Sequence, residues 1–348
     1  MGGYLKRPYP RILRKNLWEE FFEKTELVAK DLSKLEGVMG ITLAGGLSRG
    51  YADEYSEIDL IVYFEKKAFK EWLYEKASLP EGDSKYKGSY VDIKYLCYED
   101  ELENEWSHYK KWDSFYAKIL YDPQGLIKKL LREKTRLSEK EKEELIDRYF
   151  MLYGASFDWF VTQWVHRGDY LAANHCLNTF LDSIIKIVFL VNEEFVPFEK
   201  WALNFSYSLN WKPENWEERI REVMLVKEIS EEEVKRRQSI LSSLLEECKV
   251  KMLGEEAKEL DSILEIQELE ILRFLAMNTR VEVTEFEKKF GLKWRLKPPI
   301  FALIRIEKED DKSFIVFDMK KFKEICQGDM EEFLEWDKAL IRRLEKEI

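Results

Sequence analysis

The stretch ITLAGGLSRGYADEYSEIDLIVYF, residues 41–64, decides how the rest of the chain is read. One apolar run ends at Gly45-Gly46, and a second starts at Ile58 with two acids, Glu57 and Asp59, at its head. Side chains alternate along a strand, so Ile58, Leu60 and Val62 are expected on a core face and Glu57, Asp59 and Ile61 on the other. Two carboxylates on that second face stand roughly 6.5–7 Å apart along the backbone. Like charges so close call for compensation, and hard oxygen donors suit Mg²⁺. Gly45 and Gly46 carry no Cβ to block their N–H groups, so the turn and the helix start after it form an anion cradle. Ser48 adds a hydroxyl and Arg49 a cation. In GSYVDIKYL, residues 88–96, Val91, Ile93 and Tyr95 share one face and leave Asp92 on the other. If that strand lies beside 58–64, three carboxylates converge. A phosphate cradle beside metal-binding acids is equipment for phosphoryl or nucleotidyl transfer.

Outward from this stretch, residues 12–36 read as a helix with Leu17, Phe21, Leu27 and Val28 near helical spacing. VMGITLAGG is a short buried strand, EIDLIVYF the next, 66–77 a crossing helix and YKGSYVDIKYLCYE a third strand. Residues 99–112 read as helical and FYAKILYD as a fourth strand. Asp122-Pro123 predicts an N-cap and first helical residue for a helix to about 134. Strands mixed with helices then give way to helical patterns over 139–166, 169–192, 213–226, 230–253 and 256–278. Ser138 and Ser230 open capping boxes. Near the end, Thr284 is expected to cap a short helix. KWRLKPP reads as a linker, IFALIRIEKEDDKSFIVFDM as a hairpin with a charged turn, and 329–346 as a final helix. The expected class is α+β, a mixed sheet with helices over 1–135, a helical bundle over 136–280 and a small α+β extension over 281–348.

The 348 residues, 45% of them apolar, suffice for more than one packed core. A net charge of −11 argues against a protein that mainly grips nucleic-acid backbone. No apolar segment follows the basic start, and the run IVFLVN at 187–192 is too short to span a bilayer. Cys97, Cys176, Cys248 and Cys326 form no metal or disulfide spacing, which fits a reducing cytoplasm. His108, His166 and His175 show no ligand spacing either. Trp159, Trp164 and Trp201 are candidates to stack on a base, although tryptophans at helical spacing more often fill cores.

The motif GGLSRGYADEYSEIDL resembles the signature of the nucleotidyltransferase superfamily of polymerase-beta type, a G-S-x-A-R-G turn, a spacer and S-D-x-D-L. Within it the chain is most similar to small prokaryotic members related to aminoglycoside and lincosamide nucleotidyltransferases. The resemblance covers residues 38–96, and in kind the helical region after them. It implies transfer of a nucleoside monophosphate, AMP from ATP first, to a hydroxyl acceptor, with two Mg²⁺ ions bridging the triphosphate. Glu57, Asp59 and Asp92 would hold the metals, Gly45, Gly46 and Ser48 would cradle the phosphates, and Arg49 would offset their charge. Lys200, after the proline turn in PFEKW, is a further candidate to reach the triphosphate. In related enzymes a carboxylate of the helical domain acts as base on the acceptor, which points here to Asp182, and next to Asp158, from helices expected to wall the cleft. Their plainer reading is structural, for Asp182 an ion pair with Lys186. There are two departures from the family pattern. Gly46 replaces a serine, losing one hydroxyl contact, and Glu57 replaces an aspartate, moving its carboxylate by roughly 1–1.5 Å against a metal that tolerates little geometric slack. The latter also motivates a second reading, a weakly catalytic nucleotide-binding module like the antitoxin-like members. A tRNA-modifying polymerase fits the acidic balance poorly.

Overall fold

Strand β2 (Ile58–Phe64) forms the middle of the N-terminal sheet because its two faces are both claimed. In the computed structural model, which describes residues 7–75, 81–86, 88–146, 148–150, 157–254, 263–290, 303–328, 330 and 335–348, Ile58, Leu60 and Val62 are buried to within 1% exposure. Full burial of such side chains contributes about 1.5–3 kcal/mol each. They pack with Val28, Ala29 and Leu32 of α1 (Trp18–Leu32) and with Ile41 and Leu43 of β1 (Val38–Leu43). After β1 come a four-residue helix α2 (Gly45–Ser48), then β2, α3 (Lys66–Glu75), β3 (Gly82–Tyr86) and β4 (Ser89–Cys97). Next are α4 (Tyr98–Glu103), α5 (His108–Phe115), β5 (Lys118–Tyr121), α6 (Leu126–Lys134) and α7 (Glu139–Ile146). The sheet order is β3-β4-β2-β1-β5, with β2 and β4 parallel and the other pairs antiparallel. The far end of the second face is covered too: Tyr63 packs with Ile127, Leu130 and Leu131 of α6. Only the end of that face at Glu57 and Asp59 is left for polar work.

Several expectations are refined. Residues 12–17, expected at the start of the first helix, are not helical; the Leu17 N–H donates to the Ala52 carbonyl at 2.9 Å, and Asn16 bonds to Gly50 and Ala52. Leu27 lies on the exposed side of α1, whose inner face is Thr25, Val28, Ala29 and Leu32. The third strand is preceded by a partner of its own, β3, whose short polar sequence gives no apolar run to recognise. Asp122 does not directly precede α6. Gly125, in the left-handed region at φ 72°, is the N-cap, and Asp122 accepts from the N–H groups of Ile127 and Lys128 at 3.2 and 2.9 Å. The capping serines behave as read: Ser138 Oγ accepts from the Glu141 N–H and Ser230 Oγ from the Glu233 N–H.

The remaining helices are α8 (Phe157–His166), α9 (Tyr170–Val191), α10 (Glu199–Ser206), α11 (Trp216–Met224), α12 (Glu231–Leu253) and α13 (Ile263–Asn278). β6 (Arg280–Glu282), α14 (Val283–Phe290), β7 (Ile304–Glu309), β8 (Lys312–Phe317), α15 (Met319–Gln327) and α16 (Glu335–Glu347) complete the chain. Two compact units result, residues 1–146 with 185–222, and 147–184 with 223–348. They are drawn along other lines than the three-part division read from the sequence. In the second unit Leu269, Leu272 and Leu275 of α13 share a core with Phe286, Ile315, Phe317 and the α16 leucines Leu340 and Leu344. That helix is thus bonded by packing to the three-stranded sheet β6-β8-β7 that follows it. The hairpin β7–β8 turns at Asp310, at φ 51°, and Thr284 lies inside α14 with its hydroxyl on Glu282, so it is not the cap. The linker KWRLKPP lies outside the described residues. Among the described helices, α9 is long and apolar enough to cross a membrane by length and composition, and 67% of its apolar window is buried within the structure.

Gly40 faces α6 so closely that a Cβ there would lie 2.1 Å from Ile127 Cγ1 and 3.0 Å from the Tyr121 carbonyl. Gly40→Ala is therefore expected to destabilise the fold by about 1–3 kcal/mol through overpacking, read as a lower denaturation midpoint in urea.

Candidate active site

The end of β1 is tied to β2 by the Ala44 N–H, which donates to the Asp59 carbonyl at 2.9 Å. The chain then turns into α2 at Gly45, which sits at φ 61°. A Cβ at Gly45 would come within 1.7 Å of Asp59 Oδ2, so only glycine lets the carboxylate lie against the turn. Gly46 is less constrained: the nearest atom to a Cβ there is the Tyr51 carbonyl at 3.4 Å. The N–H groups of Gly45 and Gly46 stand at the first turn of the helix and take no protein acceptor among the described residues. The loop beyond is clamped from the N-terminal segment. Asn16 Nδ2 donates to the Gly50 carbonyl, the Ala52 N–H to Asn16 Oδ1, and Trp18 Nε1 to the Leu47 carbonyl.

Parallel pairing of β2 with β4 sets Asp59 opposite Asp92, both on the face away from the main core. Gly45, Gly46, Glu57, Asp59 and Asp92 line one cavity of about 240 Å³. Arg49 and Lys200 line it as well, joined by three residues the sequence reading passed over: Lys94, Trp112 and Asp113. Lys94 was legible in principle, since it follows Asp92 by two on the same strand face. Asp113 gives no local signal; an acid on a charged helix reads as a solvated residue.

The electrostatics are dominated by negative charge. Burial first, then the neighbouring Glu57, Asp113 and Asp92 carboxylates, pushes the Asp59 pKa up to about 7, while Lys94 pulls it down. Lys94 Nζ stands 3.1 Å from Asp92 Oδ2. Burial opposes the Lys94 charge, but Asp92, Asp59 and Asp113 hold it, and its pKa ends above the ordinary value. Among the described residues no three His, Cys, Asp or Glu side chains form a ready-made metal cage.

Two expected phosphate ligands are differently placed. Ser48 is buried, donates to the Gly45 carbonyl at 2.9 Å and is absent from the cavity lining. The Arg49 side chain is 2% exposed and paired with Asp113. Its guanidinium lies 4.2 Å from the Trp112 ring centre and 5.6 Å from that of Trp201, so Trp201 serves this packing. Helix α5, which supplies Trp112 and Asp113, is anchored at its start: His108 Nε2 accepts from the Val196 N–H at 3.1 Å and Nδ1 faces Glu141. Asp182 lies half-buried on α9 and Asp158 on α8, both in the second unit, and the side chain of Asp158 is outside the described residues. Lys186 pairs with Glu199 at 3.5 Å.

The residues that line this cavity fall within two family models. Residues 26–121 match the family model of a nucleotidyltransferase domain, and residues 114–202 match a domain of unknown function, DUF4037. A solved nucleotidyltransferase-like protein from Exiguobacterium sibiricum 255-15 is similar over 85% of this chain and 99% of its own, at 11% identity and a TM-score of 0.38. Among curated proteins none matches. By this family match residues 26–121 form a nucleotidyltransferase domain, in keeping with the superfamily that the motif resembles. Such domains take a nucleoside triphosphate and generally use divalent metals.

Two outcomes follow for the Gly45–Asp59 contact. Gly45→Ala is expected to lower the denaturation midpoint by clashing with Asp59, whereas Gly46→Ser, with room for its side chain, leaves it unchanged; urea unfolding distinguishes them. Because the folded-state pKa of Asp59 lies above its unfolded value of 3.8, its proton stabilises the fold, and stability is lost as pH rises from about 4 to about 7. Asp59→Asn removes that contribution to the pH dependence, so in metal-free buffer its melting temperature should exceed that of the wild type above pH 7 but not at pH 4.

Proposed function

We propose that the chain moves a nucleoside monophosphate, AMP from ATP as first candidate, to a hydroxyl of a small molecule or protein and releases pyrophosphate. The observation that carries this reading is the Asp59 carboxylate, lodged against the Gly45 turn and opposite Asp92. Its pKa is raised by burial first and then by the neighbouring carboxylates, which no nearby cation fully offsets. The donors suit Mg²⁺: Glu57, Asp59 and Asp92 offer hard oxygens, and an open arrangement fits an ion that keeps water and phosphate ligands. Two such ions, when bound, neutralise triphosphate charge and lower the pKa of the attacking hydroxyl. Gly45 and Gly46 present N–H groups to the β and γ phosphates, and Lys200 adds a cation on the same cavity. The attacking oxygen forms its bond to the α-phosphorus as the bond to pyrophosphate breaks, and the hydroxyl proton leaves to a carboxylate. Asp92 is the first candidate for that base, with Asp182 and Asp158 of the helical region next. We place the reaction in the cytoplasm, with neither nucleic acid nor membrane as partner. The three-part division, with the helical region 136–280 binding the acceptor, belongs to the same proposal.

The second reading, nucleotide binding with little catalysis, draws on Glu57 standing where the family signature has aspartate. The two readings part experimentally. Mg-ATP at 100-fold above its Kd should stabilise the protein by about 2.7 kcal/mol, and pyrophosphate should appear with a hydroxyl acceptor, aminoglycosides and lincosamides being tried first. Asp59→Asn should fold normally and lose about 100-fold or more in rate, while Glu57→Asp retains activity. Stabilisation without pyrophosphate release from any acceptor favours the second reading. No stabilisation by ATP, GTP, CTP or UTP with Mg²⁺ contradicts both.

A further inference from the structure

The Arg49–Asp113 pair does not fit a simple structural role. Arg49 carries five N–H donors in a planar fork suited to bidentate recognition of carboxylate or phosphate. Here Asp113 engages it through a single contact, Nη2 to Oδ1, and Nε is buried with no hydrogen-bond partner among the described residues. An unmade donor on a buried cation is costly. Burial lowers the Arg49 pKa even though Asp113 pulls it back up. Trp112, Tyr116 and Trp201 surround the guanidinium but accept no hydrogen bond from it. The side chain nonetheless lines the cavity with Gly45 and Gly46, and so does Asp113. Asp113 is 35% exposed, unlike its partner, and comes from α5, not from the sheet that carries the other acids. A more exposed carboxylate thus rests on an under-satisfied buried cation inside a cavity built for phosphates.

We propose that Asp113 is an internal stand-in for phosphate: it occupies the anion subsite of Arg49 in the resting site, and an incoming triphosphate displaces it. This rests on the nucleotidyltransferase reading of the same cavity. A phosphate oxygen pair offers the fork two acceptors where Asp113, as held on α5, makes one contact, so exchange meets the donor that the resting pair leaves unmade. The displaced carboxylate swings toward the solvent to which it is already open. Asp113 thereby sets a threshold on triphosphate affinity and keeps the buried arginine neutralised while the cavity holds no anion.

The test is a double-mutant cycle read by calorimetric titration of the full chain with tripolyphosphate in Mg²⁺. Asp113→Asn should tighten binding by about tenfold in the presence of Arg49 and leave it unchanged in an Arg49→Met background. Asp113→Ser and Arg49→Gln replace either substitution if its melting temperature shows that it does not fold. Equal tightening in both backgrounds would mean plain charge repulsion and overturn the proposal, as would unchanged or weaker binding in Asp113→Asn. If the wild type and every variant bind neither tripolyphosphate nor Mg-ATP, the nucleotidyltransferase reading fails as well; if the wild type binds both, only the displacement is at stake.

Discussion

The approach of Asp59 to Gly45 is the constraint on which the catalytic unit depends. A Cβ at residue 45 would sit 1.7 Å from the carboxylate, so the glycine is the vacant space that the acid fills. Both residues are fixed from behind. Asp59 is held in β2 by a core of nearly inaccessible aliphatic side chains, and Gly45 by the bond from the Ala44 N–H to the Asp59 carbonyl. The sheet and the turn therefore bring together two groups that water would keep apart, a desolvated carboxylate and free backbone N–H groups. Burial, with the neighbouring carboxylates, pushes the Asp59 pKa up to about 7.

Around that contact the chain distributes cations so as to offset the acids incompletely. Lys94 leans on Asp92, Arg49 is sealed under Trp112 against Asp113, and Lys200 stands exposed at the lining. Each cation answers one carboxylate or none, and the partly buried Asp59 has no ion-pair partner among the described residues. A fold optimised for stability alone would not leave it so. The surplus of negative charge makes sense as attraction for divalent cations that arrive with a triphosphate.

Much of this was legible in the sequence, because periodicity survives folding. The alternation in IDLIVYF and VDIKY put Asp59 and Asp92 on the face opposite the aliphatic residues, and the burial of Ile58, Leu60, Val91 and Ile93 follows it. Capping serines worked because their hydrogen bonds are local. What failed was set by contacts that residue spacing does not show, most of them distant in sequence. Residues 12–17 read as the start of a helix, yet Asn16 and the Leu17 N–H are taken up by Gly50 and Ala52, more than 30 residues away. Ser48 read as a phosphate ligand because its spacing is right, but its hydroxyl turns back onto Gly45. Asp113 was passed over because only tertiary packing lifts α5 to the cavity. The seam inside the second unit was also hidden, since α13 shows no feature that assigns it to the sheet following it.

The most direct measurement is a crystal structure of the full chain with Mg²⁺ and a non-hydrolysable ATP analogue. The account predicts a cation about 2.0–2.1 Å from oxygens of Asp59 and of Glu57 or Asp92, with the β and γ phosphates on the N–H groups of Gly45 and Gly46. A nucleotide bound elsewhere, or one bound in this cavity with no cation on Asp59, would contradict it.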